Sequence, residues 1–225
     1  MTDRYHSISD MPNVLPLFPL RGAILLPRAT LTLNVFEPRY LALVDHALAR
    51  DRLIGVVQPA QEAGSAESPK GKSFPLRQVG SAGRIASFTE GDDGRMTISL
   101  AGIARFRLVR QIVSREPFRI SEVDFALYAM DFAAGHGEDE VDRPRLIATL
   151  RNYLRANKLN ADWDRINGAS NERLVNALAV LSPYGPEEKQ ALLEAPDLKA
   201  RAETLVALAE MELAATDDGP GTTLQ

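Results

Sequence analysis

The sequence predicts an α+β protein: a β-rich barrel with one inserted helix, followed by a C-terminal α-helical bundle. Two periodicities and the polar segment between them carry that expectation. Up to residue 126 the apolar residues fall in short alternating runs broken by turn residues, as half-buried strands require. From residue 142 onward they recur every three or four positions, the spacing of amphipathic helices. Between them Gly135–Asp142 (GHGEDEVD) is polar throughout. The expected organisation is a tail over 1–12, a barrel over 13–126, a linker over 127–141, a bundle over 142–214 and a disordered tail over 215–225.

Val14–Leu20 is a first apolar stretch, which Pro16 and Pro19 push toward a sheet edge, since proline donates no ladder hydrogen bond. In Thr30–Phe36 the residues Leu31, Leu33 and Val35 alternate with polar ones. The period then becomes helical through Tyr40, Leu41, Val44 and Leu48, with Pro38 suited to the first turn and Glu37 before it as a cap. Leu53–Val57 reads as a strand. Gln58–Ser73, rich in Ala, Gly, Ser, Glu and Pro, reads as a mobile loop bordering an apolar groove.

Strand character resumes over Leu76–Phe88, and Asp92-Asp93-Gly94 supplies a hairpin turn. Two strands follow: one with Met96, Ile98 and Leu100 on one face, another over Ile103–Val113 with Arg105 and Arg107 facing away from Phe106 and Leu108. In Phe118–Phe125 the parity of Phe118 and Ile120 differs from that of Val123 and Phe125, which a bulge near Ser121-Glu122 would reconcile. Many short strands with one helix predict a closed or half-closed barrel. In the second half Pro144, Ser170, Pro186 and Pro196-Asp197 each open a helix, and Trp163 reads as a helix anchor against the bundle.

Composition narrows the chemistry. With 45% apolar and 25% charged residues the chain is globular in character, and with no cysteine it has no disulfide, thiolate metal site or cysteine nucleophile. A cytoplasmic setting is expected. No run approaches the roughly 18 apolar residues of a membrane helix, so no membrane partner is expected. Residues 1–126 hold 16 Lys and Arg against 13 Asp and Glu, a balance of +3; residues 127–225 hold 10 against 17, a balance of −7. That balance argues against nucleic acid as a partner.

Several motifs fail on context. Ala66–Ser73 (AESPKGKS) satisfies the loose P-loop pattern, yet eight residues separate it from Val57 and a strand follows where a helix is needed. His6, His46 and His136 lack metal-ligand spacing, and His46 reads as a solvated helix position. Ser81 and Ser87 lie in strand context without a nucleophile elbow, and Ser170 is a helix cap. Glu138-Asp139-Glu140, being consecutive, should splay apart in the linker. In Asn34–Tyr40 (NVFEPRY) the expectation is structural, with Tyr40 packing and Arg39 pairing with a carboxylate. No catalytic, cofactor-binding or metal-binding residue is assigned, and no cofactor is expected.

Three stretches together resemble the substrate-binding N-terminal domain of Lon proteases: Leu15–Leu48 (LPLFPLRGAILLPRATLTLNVFEPRYLALVDHAL), Val79–Leu108 (VGSAGRIASFTEGDDGRMTISLAGIARFRL) and Leu174–Leu213. The resemblance implies a PUA-like pseudobarrel followed by a helical bundle, and a domain that recognises unfolded or tagged proteins while the chemistry lies elsewhere. The expectation is thus a non-catalytic protein- or peptide-recognition module in protein quality control or as an adaptor, without ATPase or peptidase domains. Its partners would be unfolded or extended polypeptide segments or a partner protein, met through buried apolar side chains or by adding a strand to a sheet edge. RNA binding is the alternative, through a basic strip of Arg105, Arg107, Arg84, Arg95 and Arg110. Oligomeric state and the binding residues stay open.

Overall fold

The computed structural model describes residues 5–60 and 74–217. All six strands precede residue 125: β1 (Val14–Pro19), β2 (Thr30–Val35), β3 (Leu53–Pro59), β4 (Leu76–Glu90), β5 (Met96–Ile112) and β6 (Arg119–Asp124). Helix α1 (Pro38–Leu48) sits among them. Helices α2 (Arg143–Ala156), α3 (Trp163–Gly168), α4 (Asn171–Leu181), α5 (Pro186–Glu194) and α6 (Leu198–Asp217) follow. The protein is α+β, as expected.

The strands run in the order β2-β5-β4-β3-β1-β6, and β6 returns to pair with β5. Five strands therefore close a ring, with β2 attached outside it on the first half of β5. The long β5 makes closure possible by bending at register shifts. One leaves Ile103 unpaired opposite Ala82 and Gly83, the other leaves Val109 unpaired opposite Glu122 and Val123. Such extra residues kink a strand and raise its twist.

Four sequence-based expectations change here. The two strands anticipated around Gly102 are one strand, because the chain bulges at Ile103 without breaking. Strand β1 is interior: Val14–Leu17 pair with β6 and Leu17–Pro19 with β3, so its prolines sit where successive halves are engaged by different neighbours. The bulge anticipated at Ser121-Glu122 lies across the ladder at Val109, and β6 itself is regular. Its two parities serve two cores. Phe118 and Ile120 pack with α1, whereas Val123 and Phe125 fill the barrel interior. Fourth, α6 continues through Thr216 and Asp217.

The start of the chain is also structured. Tyr5 is buried and donates to the Asp51 carbonyl, and a 3₁₀ turn spans Ile8–Asp10. The segment Pro144 was expected to open is capped by Asp142, whose carboxylate accepts from Arg145 N; Ser170 likewise caps α4. The loop Gln58–Ser73 beyond Ala60, the Ala66–Ser73 motif and the tail beyond Asp217 lie outside the described residues.

Residues 24–26 join barrel and helices by packing into a separate apolar cluster on each side. Leu25 packs toward α1, while its neighbours Ile24 and Leu26 pack among Leu174, Val175, Leu192 and Leu205 of the helical layer. This segment is strapped to β5: Arg28 N donates to the Gly102 carbonyl and Gly102 N to the Ala29 carbonyl, both at 2.9 Å. A Cβ at Gly102 would stand 1.9 Å from the Leu26 carbonyl oxygen, so only glycine permits the approach. Gln58 completes the junction. It accepts from Gly22 N and donates to the Pro186 carbonyl and to Gln190.

Residues 126–141 are more ordered than a linker implies. They carry 3₁₀ turns at Ala126–Phe132 and Glu138–Glu140. Asp131 is buried against Arg105. Glu138 accepts from Glu172 N at the start of α4, and these bonds, Ser170's first, hold its carboxyl below the usual carboxylate range.

Candidate functional site

The largest concavity is a cleft of about 770 Å³ where four distant parts of the chain meet. Its sides are the end of β1 at Pro19, the start of α1 at Arg39 and Tyr40, Phe74 just before β4, and the β5–β6 connection from Gln111 to Arg119. A second concavity, between α2, α4 and α6, is almost wholly apolar (Leu150, Tyr153, Leu181, Tyr184) but holds only about 180 Å³. Two hollows on the helical layer, of about 380 and 610 Å³, also lie in the roughly 300 to 1,000 Å³ range of ligand sites, but each is lined by residues of one or two neighbouring segments, whereas the cleft draws on four distant parts of the chain.

The cleft is built on a rigid floor. Tyr40 stacks on Phe18 with ring centroids 4.2 Å apart and planes 15° from parallel. Burial raises the Tyr40 phenol pKa, opposed by nearby Arg39, so the ring stays neutral. Phe118 meets His46 edge-on at 5.0 Å. His46 is half-buried rather than solvated. Burial, then Arg50, lowers its pKa, against the pull of Glu116 at 3.8 Å.

Arg119 spans the cleft. Its Nη1 donates to the Phe74 carbonyl at 2.8 Å and its Nη2 to Gln111 Oε1 at 2.6 Å, and its guanidinium lies 5.3 Å from the Phe74 ring. The Nε is buried with no hydrogen-bond partner. On the opposite side Glu37 occupies the N-cap position of α1 but makes no capping bond, because its carboxylate is held by Arg39 Nε at 2.9 Å. Arg39 thus finds its carboxylate as expected, and Glu37 gives up its cap. The outer rim carries an apolar group, Val113 at 99% exposure beside Ile112 and Pro117, set among the polar Gln111, Ser114 and Glu116.

Other singled-out residues lie elsewhere. Asn34 accepts from Thr97 across the β2–β5 pair, and Phe36 is 63% exposed beneath Arg95. Trp163 is half-buried, with Arg151 4.8 Å over its ring. Ser81 is buried and donates to the Ala104 carbonyl, and Ser87 is exposed. Among the described residues no three His, Asp or Glu side chains gather as metal ligands.

The basic strip does not exist as drawn. Arg105 alternates with the interior Phe106 but is buried, because Asp131 and the Leu193 and Ala195 carbonyls of the helical layer cover that face of the barrel. Arg107, Arg110 and Arg95 face Asp124, Glu122 and Asp93. Those carboxylates neutralise the surface an RNA backbone would need. Sequence reasoning missed Arg119, Phe74 and Val113, whose convergence depends on barrel closure. The one local signal was Pro117 in the short connection between two strands.

A closed barrel carrying α1, joined to a helical layer through residues 24–26 and bearing an open aromatic cleft, defines an α+β domain of a recognisable kind. The chain belongs to the family of the ATP-dependent protease La (LON) substrate-binding domain, whose profile matches residues 14–210. It is 29% identical over 208 residues to Lon protease 2 of Myxococcus xanthus, covering 88% of this chain and 24% of that one. It is 30% identical to Lon protease 2 of Sorangium cellulosum over the same shares. The chain therefore spans about a quarter of the length of these relatives. The Lon N-terminal domain protein from Xanthomonas campestris is similar in structure, with TM-score 0.58 and 28% identity over 87% of this chain and 98% of that one. The N-terminal domain of Mycobacterium avium complex Lon protease shares the fold, with TM-score 0.59 and 15% identity over 88% and 98%.

Proposed function

We propose that this chain is a protein- or peptide-recognition module which holds extended or unfolded polypeptide segments in the cleft between α1 and the β5–β6 connection. The observation that carries the reading is the exposed apolar group on the rim of that cleft in a domain of the Lon substrate-binding family. Val113 is 99% exposed and lines the cleft with Phe74, Ile112 and Pro117. Covering such side chains releases apolar surface at about 25 cal/mol per Å², before association costs are subtracted.

In this reading the module works in the cytoplasm, in protein quality control or as an adaptor, and does no chemistry. The match is to a substrate-binding domain and not to a catalytic one. The purified 225-residue chain is expected to hydrolyse neither ATP nor casein. ATP turnover that co-purifies with the chain through successive columns and is lost on heat unfolding would contradict this.

Binding is tested by fluorescence anisotropy with a labelled, permanently unfolded protein. The parent should bind it in the micromolar range. Val113→Ser combined with Phe74→Ala should weaken binding at least fivefold while the thermal midpoint moves little. Parent-level affinity in that variant would place the binding surface elsewhere.

A further inference from the structure

Arg119 is the least compensated charge in the cleft. Its guanidinium is half-buried, each NH2 group donates one N–H to a neutral acceptor and keeps a second, and its buried Nε has no acceptor. Among the described residues no carboxylate pairs with it. Of the acids near the cleft, Glu37 is held by Arg39, and Glu116 lies exposed 3.8 Å from His46, with no bond to Arg119 among the described residues. A dehydrated cation without a counter-charge is costly, and an arriving carboxylate relieves that cost with a charge-assisted hydrogen bond. The uncapped start of α1, an eleven-residue helix, adds positive potential on the facing wall. Apolar side chains stand within the same cleft, at Phe74 and Val113.

We infer that the cleft selects polypeptide segments in which an Asp or Glu side chain adjoins an aromatic or aliphatic one, the carboxylate meeting Arg119 and the apolar group resting on Phe74 and Val113. The inference rests on the recognition reading above and narrows it. Unfolded chains without an acid in reach of an apolar residue bind weakly, and basic segments are disfavoured by Arg119. Arg suits this role, since its planar fork remains charged even where burial lowers its pKa.

The test uses the full chain and fluorescein-labelled peptides of eight residues, blocked as amides at the C-terminus. Three share an aromatic–aliphatic core and differ only in a central Glu, Gln or Lys. The Glu peptide should bind at least tenfold tighter than the Lys peptide, with Gln between, and the preference should shrink between 50 and 500 mM salt. In Arg119→Gln the three affinities should converge while the Gln peptide stays within about twofold of its parent value, a result unfolding could not produce. Equal affinity of the parent for all three would overturn the charge selection and leave the recognition reading intact. Failure of every peptide, and of the unfolded protein, would overturn both. A Gln peptide with a free C-terminal carboxylate is the remaining arm. If it alone gained affinity, a chain end rather than an acidic side chain would be the ligand, and the inference would fail.

Discussion

Arg105 and Asp131 form an ion pair whose side chains are only 5% and 8% exposed. Asp131 accepts from Arg105 Nε and Nη2 and from the Arg105 backbone N–H, while Nη1 donates to the Leu193 and Ala195 carbonyls at the end of α5. One guanidinium thus ties the barrel wall, residues 126–132 and the helical layer together. Removing one partner of such a pair leaves a buried uncompensated charge, so Asp131→Ala should cost about 3–5 kcal/mol in urea unfolding. Glu210→Gln, which breaks the exposed pair with Arg145, should cost under about 0.5 kcal/mol. Similar losses in the two variants would contradict the burial assigned to the first. Lys189 plays a related part, donating to the Ala179 and Val180 carbonyls at the end of α4. Burial lowers its pKa to about 8 from 10.5. Between those values the unfolded chain binds more protons than the folded one, so this group makes stability rise with pH. The buried tyrosines, Tyr184 raised to about 12 among them, act in the opposite sense above pH 10. Burial also lowers Arg201 to about 9, with the same sign, so over pH 8 to 10 the lysine is isolated only as a difference between parent and variant. The difference in unfolding free energy between parent and Lys189→Met should shift in the parent's favour across it; a flat difference would mean the lysine titrates normally.

At the scale of elements the tightest constraint is the strap of residues 24–29 on β5. Gly102→Ala forces a methyl group against the Leu26 carbonyl, and the backbone must move, with an expected loss of about 1–3 kcal/mol by denaturant unfolding. A loss under half a kcal/mol would mean the strap yields freely. Much of this level was legible in sequence. Alternation gave β2 and the first half of β5, the helical period with Pro38 gave α1, and Ser170 and Pro186 marked α4 and α5. What escaped has a common cause. A bulge such as Ile103 or Val109 depends on the partner strand, and the two-sided burial of β6 on the pairing of two cores, neither of which is written in a local period. The apolar run Ile24–Leu26 belongs to no regular element and packs against α1 on one side and the helical layer on the other. The residues between barrel and bundle look like a linker by composition, yet Asp131 and Glu138 each meet a specific partner.

For the whole molecule, the family was legible in the chain and the cleft was not. Its walls come from residues 19, 39–40, 74 and 111–119, which barrel closure alone brings together; no spacing in the sequence relates Arg119 to Phe74. The proposed holding of an extended polypeptide in this cleft can be read along the chain. Amide hydrogen exchange with and without a saturating, permanently unfolded partner protein tests it most directly. Added protection is expected over 111–119 and at the start of α1, with the helical layer unchanged. Protection confined to α2, α4 and α6 around the smaller apolar concavity, or none at concentrations where anisotropy shows binding, would contradict it.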